Sequence, residues 1–234
     1  MSTIKINDRD FHFRDSSLGD KGAISQVFSR QDYNLGQMSQ APALIGYLTR
    51  QKKPPLILDL GAHIGCATIW FKNQFPESRI IAVEPEPENF ALLSKNTMGI
   101  AGVSTVQGAI ASYSGTGYLH DPKRDTWGYR VAATQTDNES PVKAYTVRSL
   151  LKLEPNATPF IAKVDIEGGE GELFARNTAW AHDFPLLIIE LHDWMLVGCS
   201  VSRNFWLTVG LGSFDVMMHG ENVFAFNNNL LRTS

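Results

Sequence analysis

The 234-residue chain is poor in several features that would each mark a class of protein. It has two cysteines, Cys66 and Cys199, too few for a disulfide framework and in keeping with a reducing compartment. No apolar run approaches the ~18 residues needed to cross a bilayer. The opening MSTIKINDRD lacks the basic-then-apolar order of a secretory leader. A basic excess is missing too: 21 Lys and Arg face 24 Asp and Glu, a net charge of −3. That balance argues against binding nucleic acid through its backbone charge. Internal repeats and low-complexity linkers are also missing. What remains, 43% hydrophobic and only 19% charged residues, excludes a disordered chain. The expectation is a soluble, cytoplasmic, globular protein of one to two domains.

Periodicity organises the chain. Ile4 and Ile6, then Phe11 and Phe13, alternate with polar residues around Asn7 and Asp8, which reads as a small hairpin. Helical stretches follow near Gly22 to Arg30 and Gln37 to Lys52, stopped by Pro54 and Pro55. From Leu56 the pattern becomes strand and helix in turn. Strands are expected at Leu56 to Leu60, Arg79 to Val83, Val103 to Ile110, Phe160 to Ile166 and Leu186 to Leu191. Helices are expected at Cys66 to Phe75, Pro87 to Met98 and Gly169 to Arg176. Such alternation predicts a parallel sheet with helices on both faces. Ser213 to Met218 and Asn222 to Phe226, joined through Gly220, read as a closing antiparallel hairpin. Residues 111 to 147 break the rhythm and read as antiparallel excursions or a loop over one end of the sheet. The first 55 residues are expected to form a cover, with the main domain spanning residues 56 to 234.

The segment ILDLGAHIGCAT, Ile57 to Thr68, carries the strongest chemical signal. An apolar strand ends in Asp59, turns through Gly61 and Gly65, and enters a helix whose free N–H groups favour an anionic group. Its spacing lacks the middle glycine that makes room for a dinucleotide pyrophosphate. Asp59, placed at the same pocket, would repel phosphates and attract an ammonium group. A ligand with an amine, a carboxylate and no phosphate is S-adenosylmethionine. Glu84, at the end of the next strand, suits the two ribose hydroxyls of an adenosine.

ILDLGAHIG and AVEPEPENFALLSKN together resemble class I S-adenosylmethionine-dependent methyltransferases, in particular the FkbM family. Glu84, Pro85 and Asn89, the later KVDIEGGE of Lys163 to Glu170, and Glu190 with His192 are similar to that family's pattern. His63 stands where the family usually has Asn. The resemblance implies a Rossmann-like, seven-stranded, mostly parallel sheet. It also implies a cofactor site in which Asp59, Gly61, Ala62, His63 and Gly65 hold the methionine half and Glu84, followed by Pro85, holds the ribose. Gly108, Ala109 and Ile110 flank the adenine, and Thr68 reaches for the carboxylate.

The implied reaction is methyl transfer to a hydroxyl of a sugar or natural-product small molecule. A hydroxyl acceptor loses a proton as it is methylated, which calls for a base. Asp165, Glu190 and His192 sit at strand ends, where ligands bind in such folds. Asp165 is expected beside the cofactor. His192 has the ordinary pKa best suited to proton abstraction near neutrality, the competing reading being a solvent-facing His paired with Asp193. Lys163 and Asp165 share one face by strand alternation. A Mg²⁺ or Mn²⁺ ion on Asp165, Glu190 and His192 is not favoured, because no tight ligand spacing supports it. Trp127, Tyr129 and Arg130 are placed as a substrate lid or loop packing. Cys66 is read as a packing residue. No nucleic-acid or membrane partner is expected. Two other readings compete: an NAD-type oxidoreductase, and a non-catalytic module that keeps the fold as a binding surface.

Overall fold

The computed structural model describes residues 1–120, 130–132 and 139–232. Trp127 and Tyr129, and the side chain of Arg130, lie outside the described residues.

The chain opens with a hairpin of β1 (Ser2–Ile6) and β2 (Arg9–Phe13). Asn7 and Asp8 both adopt positive φ, the backbone a two-residue turn between right-twisted strands requires. Helix α1 (Leu18–Ile24) is capped by Ser17 and runs into a π-helical turn at Ser25–Ser29, and α2 covers Ala41–Thr49. The first helical stretch starts four residues earlier than its periodicity suggests, and the second is shorter at both ends.

The central layer then builds up through β3 (Pro55–Leu60), α3 (Cys66–Gln74), β4 (Arg79–Glu84), α4 (Pro87–Thr97) and β5 (Val103–Gln107). Four short strands follow: β6 (Ala109–Ile110), β7 (Gly115–His120), β8 (Arg130–Ala132) and β9 (Ser140–Tyr145). They form a separate sheet in the order β6-β9-β7-β8. The chain continues through α5 (Val147–Leu151), β10 (Thr158–Val164), α6 (Glu170–Leu173), β11 (Leu186–Glu190) and α7 (Arg203–Gly210). It closes with β12 (Phe214–His219), β13 (Asn222–Asn227) and α8 (Asn228–Leu231).

The main sheet has seven strands in the order β12-β13-β11-β10-β3-β4-β5. β13 pairs antiparallel with both neighbours, and the remaining pairs are parallel. The expected α/β architecture with its C-terminal antiparallel hairpin is therefore present.

Strand alternation divides the core in two. On one face Ile57, Ile80, Ile161, Ile188 and Phe224 pack with Phe71 of α3 and Leu92 of α4. Phe11, Val27, Tyr33, Leu44 and Tyr47 from the first 55 residues join that same cluster. On the other face Leu56, Leu58, Leu60, Val164 and Ile189 pack with Leu150, Leu173 and Phe205 of α5, α6 and α7.

Two boundaries differ from the sequence reading. The expected strand over Val103 to Ile110 is two strands in two sheets. At Gly108 the N–H donates to the Glu84 carbonyl, and a Cβ there would lie 2.6 Å from the Lys143 carbonyl oxygen and from the Tyr145 ring. The chain leaves the main sheet at this point and crosses to β9. The helix expected over Gly169 to Arg176 is the single turn α6, because its last residues turn outward, where Arg176 meets Ser112 and Glu172.

Candidate active site

The carboxyl ends of β3, β4, β10 and β11 surround a cavity of about 530 Å³, a size typical of small-molecule sites. Its floor is the loop from Gly61 to Gly65. The N–H groups of Gly61 and Ala62 both donate to the Val83 carbonyl, at 3.0 and 2.9 Å. Gly61 has φ +82°, and a Cβ on it would come within 1.7 Å of the Asp165 carbonyl oxygen. The glycine is required because the β3 and β10 loops touch, more than because a ligand must approach. Gly65, at φ +96°, begins α3, and its Cβ would meet Leu93 of α4 at 3.0 Å. At Gly65 itself the chain closes against α4.

Glu84 forms one wall. Its Oε2 accepts the His63 N–H at 2.9 Å, and Oε1 accepts the Glu86 N–H at 3.0 Å and Asn89 Nδ2 at 3.4 Å. Burial raises its pKa, while His63 and the backbone donors pull the other way. Pro85, Gly108, Ala109 and Ile110 continue that wall, and Gly61, Ala62 and His63 lie at its foot. These predicted cofactor residues come together on one cavity surface.

Three others do not reach it. Asp59, expected to face the pocket and attract an ammonium group, is fully buried one layer behind it. Its Oδ2 accepts the Thr68 hydroxyl at 2.5 Å, and its Oδ1 lies 3.3 Å from Lys163 Nζ. The ammonium group it attracts is the protein's own. Thr68 is thereby committed to Asp59 and not to a ligand carboxylate. Gly65 lies behind the cavity as well.

Lys163 is a residue whose role the sequence reading missed. It projects from β10 opposite Asp59, donates to the Gly61 carbonyl at 2.6 Å and stands 3.3 Å from Asp165 Oδ2. Burial alone would lower its pKa, but Asp165 and Asp59 reverse this and hold it well above the ordinary value. One ammonium group therefore ties the Asp59 strand end, the glycine loop and Asp165 together.

At the opposite end stand Asp165, Glu167 and Glu190, all lining the cavity, with Glu172 and Glu221 nearby. His192 lies behind them, 1% exposed and outside the lining. Its Nδ1 is 2.9 Å from Glu170 Oε1. Its Nε2 faces Glu167 at 3.4 Å, Glu190 at 3.5 Å and Asp165 at 3.7 Å. Burial would depress its pKa, yet Glu170 and Glu190 outweigh that and push it up to about 11. His192 is thus held behind the carboxylates and out of an acceptor's reach, which counts against its assignment as a base. It is not paired with Asp193, whose Oδ1 accepts the Ser202 N–H at 3.5 Å. Burial and then the Asp165 charge raise the Glu167 carboxyl to about 8, and the same two causes raise Glu190.

The N-terminal segment completes the cavity. Leu18, Gly22, Gln26 and Tyr33 line it, and Trp194 stands at the opposite rim. Arg14 binds the buried Asp20 carboxylate through Nε at 3.0 Å and Nη2 at 2.8 Å, and Asn89 Oδ1 accepts from Nη2 at 2.5 Å. Asp20 Oδ1 also lies 3.3 Å from His63 Nε2. Burial opposes the charge on Asp20, but the hydrogen bonds from His63 and Arg14 prevail and lower its pKa. His63, at φ +48°, is therefore held by the cover through its ring and by Glu84 through its backbone. Asn96 fastens the hairpin with two bonds to the His12 backbone, at 2.8 and 3.0 Å, and one to the Ile64 carbonyl at 2.9 Å. Cys66 lies buried on the cavity wall, and burial pushes its thiol pKa well up, as suits a packing residue.

Known proteins give this arrangement a context. "Methyltransferase sdnD" of Sordaria araneosa is 35% identical over 65 residues, covering 26% of this chain and 25% of that protein. "Methyltransferase 1" of Beauveria bassiana (strain ARSEF 2860) is 41% identical over 51 residues, 22% of this chain and 20% of that one. The matches therefore span only a quarter and a fifth of those relatives. Among solved structures, precorrin-6y C5,15-methyltransferase from Geobacter metallireducens GS-15 is 14% identical, covers 95% of this chain and 96% of that one, and superposes with a TM-score of 0.45. Fibrillarin from Aeropyrum pernix in complex with S-adenosyl-L-methionine is 10% identical, covers 79% and 73%, and has a TM-score of 0.41. The family described as Methyltransferase FkbM domain matches residues 59–205, more than half of the sequence, and the chain belongs to that family.

Proposed function

We propose that the chain binds S-adenosylmethionine in the 530 Å³ cavity and transfers its methyl group to a hydroxyl oxygen of a sugar or natural-product small molecule. The observation that carries the reading is the charge of the lining. Glu84 stands at one end, Asp165, Glu167 and Glu190 at the other, and no arginine occurs among the described lining residues. A dinucleotide pyrophosphate would lie among carboxylates there, whereas a cofactor with an ammonium and a sulfonium group is complemented by them. The residues fit that cofactor. Glu84 retains acceptor capacity for ribose hydroxyls beyond its N–H partners, and Gly108 and Ala109 offer a wall with little side-chain bulk beside it.

When bound, the cofactor supplies an electrophilic methyl group, and the protein's part is orientation and electrostatics. Lys163 fixes the glycine loop against Asp165, so the two halves of the cavity hold a constant separation. The acceptor proton passes to a carboxylate that lines the cavity, Asp165 or Glu190, and not to His192, which lies behind them. Trp194 and Leu18, both exposed at the rim, give the acceptor an apolar edge to rest on. This supports a small, neutral or cationic acceptor over an anionic polymer.

The test is incubation with methyl-labelled S-adenosylmethionine and a panel of glycans and small hydroxylated metabolites. Label in an alkali-stable linkage, with the methyl carbon mapped to oxygen by NMR of the product, identifies a methyl ether. Label in an alkali-labile ester, or transfer only to amines, would overturn the oxygen assignment.

A further inference from the structure

The acidic end of the cavity holds more than a set of candidate proton acceptors. Three side chains from two neighbouring strand ends, Asp165, Glu190 and His192, each present one ligand atom, and these atoms lie within 4.8 Å of one another. His192 stands apart from a solvated acidic cluster. It is 1% exposed, and its Nδ1 is fixed by the fully buried Glu170 at 2.9 Å. That contact leaves Nε2 aimed into the carboxylates, where an ion would take the place of the Nε2 proton, releasing it to solvent. A carboxylate holding one ring nitrogen so that the other faces outward is the support found behind metal-ligating histidines.

The spacing agrees. Nε2 is 3.4, 3.5 and 3.7 Å from the nearest oxygens of Glu167, Glu190 and Asp165. These distances exceed the usual 2.7–3.2 Å of an N–H···O bond. Ligand atoms about 2.1 Å from one ion, at angles between octahedral and tetrahedral, are separated by roughly 3.0–3.5 Å. The oxygens of Asp165 are divided between tasks: Oδ2 faces Lys163 and Oδ1 faces His192. Lys163 is the one cation beside the cluster among the described lining residues other than His63, and its Nζ is already shared by Asp59, Asp165 and the Gly61 carbonyl. Around it, Glu167, Glu170 and Glu190 add carboxylates with no further basic partner of their own except His192.

We infer that Asp165, Glu190 and His192, with Glu167 beside them, form a binding site for a divalent cation whose open side faces the cavity. Asp165 and Glu190 line the cavity and His192 backs them, so an ion among them is shielded on the protein side and reachable from the acceptor side. The mixed oxygen and imidazole donors suit Mn²⁺ better than Mg²⁺ or Ca²⁺, which prefer oxygen alone. The ion would bind an oxygen of the acceptor, so the site selects acceptors with a ligating hydroxyl. This role rests on the methyltransferase reading, but occupancy by the ion does not.

The experiment is Mn²⁺ binding to the full chain after chelator treatment, followed by electron paramagnetic resonance of the free ion. One Mn²⁺ per chain is expected. Glu190→Gln should weaken its binding at least 10-fold. Glu190 is partly exposed at the cavity, so this variant should keep the fold, as a thermal melt will show. Glu170→Gln, which alters the support of His192 without removing a proposed ligand, should cost about 10- to 100-fold. No stoichiometric Mn²⁺ in the wild type, or equal affinity in a folded Glu190→Gln protein, overturns the site. S-adenosylmethionine binding to the wild type is measured separately. Mn²⁺ without the cofactor would sink the methyltransferase reading and leave the metal site standing, and the cofactor without Mn²⁺ would do the reverse.

Discussion

Replacing Lys163 with Met tests how the site is held together. The ammonium group is 4% exposed and lies 3.3 Å from Asp59, 3.3 Å from Asp165 and 2.6 Å from the Gly61 carbonyl. Methionine fills a similar volume and removes the charge. Asp59 would then keep only the Thr68 hydroxyl on Oδ2, because Oδ1 has no hydrogen-bond partner among the described residues. Breaking a buried pair from one side costs about 3–5 kcal/mol, since a charge is left without compensation. That is a large part of the roughly 5–15 kcal/mol by which a domain is stable. For a chain of this size it corresponds to a fall in Tm of roughly 6–20 °C, at about 2–4 °C per kcal/mol. Urea unfolding monitored by tryptophan fluorescence measures it directly. Adding Asp59→Asn removes the stranded charge, so the double variant should recover about 1–3 kcal/mol relative to the sum of the singles. A Lys163→Met protein within ~1 kcal/mol of wild type would refute the reasoning.

Other perturbations read other parts of the structure. Gly61→Ala sets a Cβ against the Asp165 carbonyl at a left-handed φ, and should reduce S-adenosylmethionine affinity at least ~10-fold by displacing the loop; calorimetry checks it. Asn96→Leu removes three bonds that tie the hairpin to α4 and the glycine loop, and should cost about 2–3 kcal/mol in denaturant unfolding. Asp20 has a folded-state pKa below its ordinary value near 4. Its contribution is therefore complete above about pH 4 and fades as the pH falls toward the folded value. Asp20→Asn should flatten the acid limb of the stability profile below about pH 4, and an unchanged limb would count against the Arg14–Asp20–His63 clamp.

The strands of the main sheet were legible because each is a short apolar run bounded by turn residues. Leu56 to Leu60, Leu186 to Leu191 and the hairpin around Gly220 appear within a residue or two of their expected ends. Gly61 and Glu84 were legible as cavity residues because strand ends gather at one edge of a parallel sheet, whereas Gly108 came from the family resemblance. What the pattern hid depends on register between distant segments. Asp59 and Lys163 lie far apart in sequence, and only the β3–β10 pairing sets them opposite one another, turning an expected ligand contact into an internal ion pair. Likewise, nothing in the residues flanking His192 shows that Glu170 reaches it from α6 and holds its ring behind the cavity carboxylates. The break at Gly108 was hidden for the same reason: Val103 to Ile110 reads as one irregular strand, and the crossing is fixed by Lys143 and Tyr145 of β9.

The central claim is that the cavity between Glu84 and Asp165 is a site for S-adenosylmethionine. Calorimetric titration of the wild type and of Glu84→Gln with S-adenosylmethionine, and of the wild type with NAD, tests it most directly. The account predicts one S-adenosylmethionine per chain, at least ~10-fold weaker binding in Glu84→Gln, since an amide loses the charge and one acceptor oxygen, and no heat from NAD. Saturable NAD binding with no response to S-adenosylmethionine would contradict it.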